Sequence, residues 1–261
     1  MNLVLKNKRL TNQQHKKYQE DGYFVFGNLL DLNFVEQLKT AYLQVLDNLK
    51  RASKLNSIRD GISLDGKKTE VFQIRAAHLH HKKFHELLYN EILLDIVEEL
   101  IGPEIRLVLF QGLYKPPFKG GVVGWHQDDY YFQVNKPNAV VSCWIALDDA
   151  TISNGCMWML PKEHQNIKEH VQAIGKGFEI PQVDELKATP IELKAGQCMF
   201  HHGLAPHRTL ANSSNNHRRA FSIHFMDATA IPLGKGRQEE PPENMPILRS
   251  KTLPITQLQS H

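Results

Sequence analysis

The sequence predicts an α+β protein with a mainly β core, a sandwich or barrel, braced by N-terminal helices. Two observations carry this. Before Gly102-Pro103, apolar residues recur at helical spacing; after it, segments are short, β-branched or aromatic, and bounded by Gly, Pro, Asn and Asp. The length, 261 residues with 41% hydrophobic content, suits one large domain with a sizeable core. The expected organisation is a single domain over 1–261: a helical part to 102, a β core over 103–230 and a tail over 231–261.

Taken in order, Thr11 and Gln14 form a candidate capping box for a short helix ending near Glu20. Asp21-Gly22 reads as a turn and Tyr23 to Phe26 as a strand. Asn33 and Glu36 suggest the cap of a second helix, along which Val35, Leu38, Tyr42, Val45, Leu46 and Leu49 recur. Residues 51–68 are polar and contain glycine, so a loop is expected. One helical region is expected over 82–101, stopped by Gly102-Pro103. The histidine cluster His78 to His85 reads as a solvated helix start. Strands are expected at 105–114, 139–147, 156–160, 191–193, 197–201 and 220–226, with Asn154-Gly155 as a hairpin turn. The tail shows little periodicity and is expected to be loose or draped over the core.

Composition narrows the function. A net charge of +3 without a run of like charges gives no support to nucleic-acid or membrane-surface binding. The first residues, MNLVLKNKRL, lack the apolar run of a signal peptide, and no stretch approaches a membrane span. Cys143, Cys156 and Cys198 form no C-x-x-C pair and sit in apolar runs, which suits reduced core thiols and a cytoplasmic location. Oligomeric state is open.

The chemistry centres on GWHQDDYYF, Gly124 to Phe132. His126 and Asp128 lie two positions apart, and an extended segment would put both on one face. A further histidine would complete a 2-His-1-carboxylate facial triad, which binds non-haem Fe(II) and leaves positions open. About eighty residues later, GQCMFHHGLAPHRTLANSSNNHRRAFSIHF supplies histidines on a strand, a polar turn, and Arg218-Arg219 opening the next strand. Arginine suits a buried carboxylate because its planar fork pairs bidentately and stays charged. Only one of Arg218 and Arg219 can point inward, because successive strand residues face opposite ways.

These stretches, with KPPFKGGVVGWHQD and CWIALDDATISNGCMWMLPKEH, resemble the phytanoyl-CoA dioxygenase family of Fe(II)- and 2-oxoglutarate-dependent oxygenases. The resemblance runs from about Gln111 to Phe225. It implies a double-stranded β-helix (jelly roll, cupin-like) and oxidation of an unactivated C–H bond, usually hydroxylation, of a small molecule. Iron, 2-oxoglutarate and O2 would be the cofactor and co-substrates, with succinate and CO2 as co-products. The implied iron ligands are His126, Asp128 and His207, with His201 and His202 as rivals for the third place. Arg218 would bind the C5 carboxylate of 2-oxoglutarate, with Thr209 where a serine is common. Trp144 would wall that pocket, Gln127 would contact the co-substrate, and Gln111 stands where methionine is usual. A lysine usual some fifty residues before the H-x-D is replaced near Phe72 and Arg75. Related halogenases carry a small residue at the aspartate position, so Asp128 implies hydroxylation or a similar oxidation.

Asp129, Tyr130, Tyr131 and Phe132 are candidates to shape a substrate pocket, with core packing as the alternative for each ring. A second class of function stays open: a metal-binding β-barrel without catalysis, acting as sensor or scaffold. Arg218 argues against it.

Overall fold

A computed structural model describes residues 10–62, 68–173, 177–231, 233 and 245–255. Helix α1 (Asn12–Asp21) begins at the Thr11 capping box and ends on Gly22, whose φ of 81° is the left-handed conformation a helix stop favours. Strand β1 (Tyr23–Asn28) and helix α2 (Leu32–Arg51) follow. Asp31, not Asn33, caps α2, by accepting from the Phe34 N–H.

The expected loop over 51–68 contains strand β2 (Asn56–Ile62) and the start of β3 (Lys68–Ile74), paired antiparallel. The pairing is decided across the sheet, and no local alternation announces it. The expected helix over 82–101 is two, α3 (Lys82–Leu88) and α4 (Glu91–Ile101). Asn90 separates them by accepting from Leu93 N–H at 3.0 Å. The histidine cluster is less solvated than its composition suggests: His78 is buried and stacks on Phe110, and His81 caps α3.

Beyond α4 run β4 (Ile105–Lys115), β5 (Val123–His126), the short helix α5 (Asp128–Phe132) and β6 (Val140–Ala146). Then come β7 (Met157–Met159), β8 (Val171–Gln172), β9 (Phe178–Glu179), β10 (Thr189–Ile191), β11 (Gln197–His202), β12 (His207–Thr209) and β13 (Arg218–Asp227). Expected strands at 156–160 and 191–193 thus survive shortened or shifted. Asn154-Gly155 closes a 3-10 turn instead of a hairpin, with Gly155 at φ 87°. The tail is not wholly loose. Strand β14 (Ile247–Arg249) pairs with β4, and Arg249 binds Asp95 and Glu98 at 2.7 and 2.9 Å and Glu91 at 2.7 Å. Most of the rest of the tail lies outside the described residues.

The strands form a double-stranded β-helix. The larger sheet runs β1-β11-β6-β13-β4-β3-β2, with β14 beside β4; the smaller runs β10-β7-β12-β5. The two faces of the larger sheet follow from strict alternation. On β13, Phe221, Ile223 and Phe225 face outward into an apolar layer with Leu38 and Tyr42 of α2, Leu87 of α3 and Val97 of α4. Each such buried side chain contributes about 1.5–3 kcal/mol. Arg218, Ala220, Ser222 and His224 take the other face, between the sheets. That inner space has an apolar end, where Trp144, Met157, Met159, Met199 and Ala220 pack, and a polar end at His224, Ser142 and His201. No helix among the described residues is long and apolar enough to cross a membrane.

Candidate metal and co-substrate site

The antiparallel pairing of β5 with β12 sets His126 directly opposite His207, with ring centroids 4.2 Å apart. Strand β5 stops at His126. Gln127 is extended, and Asp128 opens α5, so the H-x-D segment is a strand-to-helix corner, not a continuous strand. The two side chains converge through that bend rather than through strand alternation. One donor atom from each of His126, Asp128 and His207 lies within 4.8 Å of the others.

The histidine tautomers are fixed by their neighbours. His126 Nδ1 lies 2.8 Å from its own Gly124 carbonyl, and His207 Nδ1 lies 3.0 Å from Ala205 O. A carbonyl only accepts, so both Nδ1 atoms carry the proton and Nε2 is presented to the site. His207 Nε2 lies 3.7 Å from Asp128 Oδ1. Asp128 is buried, which works against its charge. His224, His207 and His201 overcome that and hold its carboxyl well below the usual carboxylate range.

His201 and His202, the rival ligands, are not part of this three-donor set. His201 is buried beside Asp128, its Nδ1 3.8 Å from Oδ2. His202 donates from Nε2 to Asn138 Oδ1 at 3.0 Å and accepts the Leu204 N–H on Nδ1 at 3.0 Å.

Deeper between the sheets lies Arg218, 1% exposed, its guanidinium 5.6 Å from the Trp144 ring. Burial lowers its pKa to about 10, so it remains charged at neutral pH. Arg219 faces outward and pairs with Asp148 at 2.8 and 2.7 Å. Among the described residues, Arg218 Nε and Nη1, Thr209 Oγ1 and Trp144 Nε1 are buried without a hydrogen-bond partner. A buried polar atom left unpaired costs about 1–3 kcal/mol, more when charged. A buried guanidinium with two unpaired nitrogens fits an anionic ligand. A five-carbon diacid fits: one carboxylate for the arginine, a keto acid end toward the histidines. The imidazole and carboxylate donors likewise fit Fe(II).

The other candidates divide. Gln111 sits on the inner face, 3.1 Å from His224 Nε2. Gln127 is turned away from the chamber. Its amide donates to Asn166 O and Leu204 O at 2.9 and 2.6 Å and accepts from Lys168 N at 2.7 Å, which pins the following segment. Asp129 packs against Gly203, where burial and the Asp128 charge push its carboxyl up to about 7. Tyr130 stacks on His170 at 4.0 Å, and Tyr131 meets His126 edge-on at 6.4 Å while its hydroxyl bridges the Phe178 backbone. Phe132 belongs to the core with Val108, Val140 and Met226. Of the three rings, Tyr131 is the one beside a metal-ligand candidate. Sequence reasoning did not single out Ser142, His224 and Gln73, although each is a polar residue at an inward position of an apolar strand.

Two histidines and one aspartate of a double-stranded β-helix could hold a metal ion, and the same fold buries an arginine between its sheets. The chain belongs to the phytanoyl-CoA dioxygenase (PhyH) family, whose model matches residues 18–220. A phytanoyl-CoA dioxygenase domain-containing protein 1 homolog of Caenorhabditis briggsae is 21% identical, covering 81% of this chain and 89% of its own length. Phytanoyl-CoA dioxygenase 1 of Oryza sativa subsp. japonica is 23% identical over 87% and 92%. Among solved structures, the apo non-heme monooxygenase ThoJ has a TM-score of 0.75, with 23% identity over 94% of this chain and 88% of that one. The epimerase SnoN, in complex with Fe3+, alpha ketoglutarate and nogalamycin RO, scores 0.70 at 22% identity over 91% and 98%. These structures share the fold.

Proposed function

We propose that the protein is an Fe(II)- and 2-oxoglutarate-dependent hydroxylase of a small molecule, with His126, Asp128 and His207 as iron ligands. The observation that carries this reading is the pairing of a three-donor cluster with the unsatisfied guanidinium of Arg218. A non-catalytic metal scaffold has no use for a buried, unpaired arginine beside its metal.

Bound iron with 2-oxoglutarate supplies oxygen activation, giving succinate, CO2 and oxidised substrate. The chain's own residues bind, orient and exclude water. Arg218 takes the distal carboxylate, and Thr209 Oγ1 donates beside it. Trp144, Met157, Met159 and Met199 make the dry wall that strengthens this ion pair. Asp128 contributes the negative charge that balances the metal. Tyr131, edge-on to His126, flanks the substrate side. Three buried cysteines without disulfides suit a reducing compartment, and the cytoplasm is the proposed location.

The test is iron-dependent succinate formation from 2-oxoglutarate in a panel of candidate small molecules. His126→Ala and Asp128→Ala should abolish it while circular dichroism stays native. Full turnover by either variant would show that the ligands are misassigned.

A further inference from the structure

A chain of hydrogen bonds leads from strand β3 to the far oxygen of Asp128. Gln73 Nε2 donates to Gln111 Oε1. Gln111 Nε2 lies 3.1 Å from His224 Nε2. An amide N–H only donates, so His224 Nε2 accepts, and the imidazole proton sits on Nδ1. Ser222 Oγ, 3.1 Å from the same Nε2, adds a second group on that side. His224 Nδ1 faces Ser142 Oγ at 2.7 Å and Asp128 Oδ2 at 3.2 Å. Ser142 Oγ in turn donates to Asp128 Oδ2 at 2.7 Å. Every donor in the chain points toward the carboxylate. Ser142, His224 and Asp128 are buried, so water does not compete for the bonds among them, while Gln111 is half-buried.

We propose that Ser142 and His224 are positioning residues that hold Asp128 as a one-oxygen metal ligand, with Gln111 and Gln73 fixing the histidine tautomer. This rests on the metal assignment above. A carboxylate beside a dication can bind through one oxygen or both. Binding through both takes an extra coordination position, one that a chelating keto acid and dioxygen need. To swing onto the metal, Oδ2 would have to give up hydrogen bonds made to a charged acceptor, each among the stronger kind. Oδ1, on the His207 side, is left as the metal-facing atom. The register of the larger sheet builds the device: His224 lies across from Ser142 on β6, and Ser222 from Gln111 on β4.

The experiment is a Co(II) titration of the full chain, read by ligand-field absorption for coordination number and by the dissociation constant. Ser142→Ala should weaken cobalt binding by about 10- to 100-fold, the range seen when a partner of a metal ligand is removed. Its absorption should also shift as the carboxylate changes mode. Ser142→Thr keeps the hydroxyl and should bind within about threefold of the parent. Gln111→Met should cause a smaller loss. His126→Ala is the control. If it binds cobalt as the parent does, the metal assignment itself fails. If it loses cobalt while Ser142→Ala keeps parental affinity and spectrum, the positioning proposal fails and the metal assignment stands. Equal losses in Ser142→Ala and Ser142→Thr would trace the effect to strand packing and would also overturn the proposal.

Discussion

At the scale of single residues, Arg218 carries the most specific expectation. Its inward side is set by its alternation with Arg219, which Asp148 holds outside. Arg218→Ala should raise the 2-oxoglutarate concentration needed for half-maximal succinate formation by at least about 30-fold, because truncating one partner of a buried charge pair costs about 2–5 kcal/mol. An unchanged requirement would move the role to another residue. His202 sets a pH dependence. Burial, with His164 nearby, lowers its pKa from 6.5 to about 4, and both ring nitrogens are satisfied in the neutral form. Its contribution to stability is therefore complete above pH 6.5 and is lost as pH falls toward 4. His202→Gln should lessen the drop in urea-unfolding free energy between pH 7 and 4.5 by about 1–3 kcal/mol. Residue identities were the most legible part of the site: His126, Asp128, His207 and Arg218 can all be picked from spacing and family likeness. Ser142 and His224 were not, because a serine or histidine in a strand is informative only once its face is known.

At the scale of elements, the seat of α2 on the larger sheet depends on Gly112. A Cβ there would lie 2.8 Å from Tyr42 Cε2, and the Tyr42 ring is itself packed by Phe84 and Phe221. Gly112→Ala should cost about 1–3 kcal/mol by overpacking, measured as a lower urea midpoint at constant slope. Asn90 caps the start of α4, and Asn90→Ala should cost about 1 kcal/mol in the same assay. Elements announced by local signals were read well from sequence: the Thr11 capping box, the Gly22 stop, the long alternating run of β13. Those decided by distant partners were not. Strand β2 falls inside the expected polar loop because its pairing with β3, not its pattern, makes it a strand. The bend at Gln127 was likewise invisible, since H-x-D reads equally as straight chain or corner.

Across the whole molecule, the chamber couples binding to stability. A ligand that binds the folded chain and not the unfolded one stabilises it by mass action. Metal and 2-oxoglutarate should therefore raise the melting temperature, by about 2.7 kcal/mol of linkage at a hundred times the dissociation constant, and a chelator should reverse the metal's share. Asp128→Ala should abolish the metal-induced shift in differential scanning fluorimetry, and a retained shift would place the ion elsewhere. The helices-then-strands layout was legible because each class has its own hydrophobic period. For the tail the sequence left two outcomes, loose or draped over the core, because Arg249's three acidic partners are more than 150 residues away on α4.

The face-to-face placement of His126 and His207 on neighbouring strands has one more consequence. A slip of one position between β5 and β12 would turn the imidazoles to opposite sides and dismantle the ion's berth at a stroke. Native alignment of the two strands is thus a precondition for both imidazoles to meet one ion.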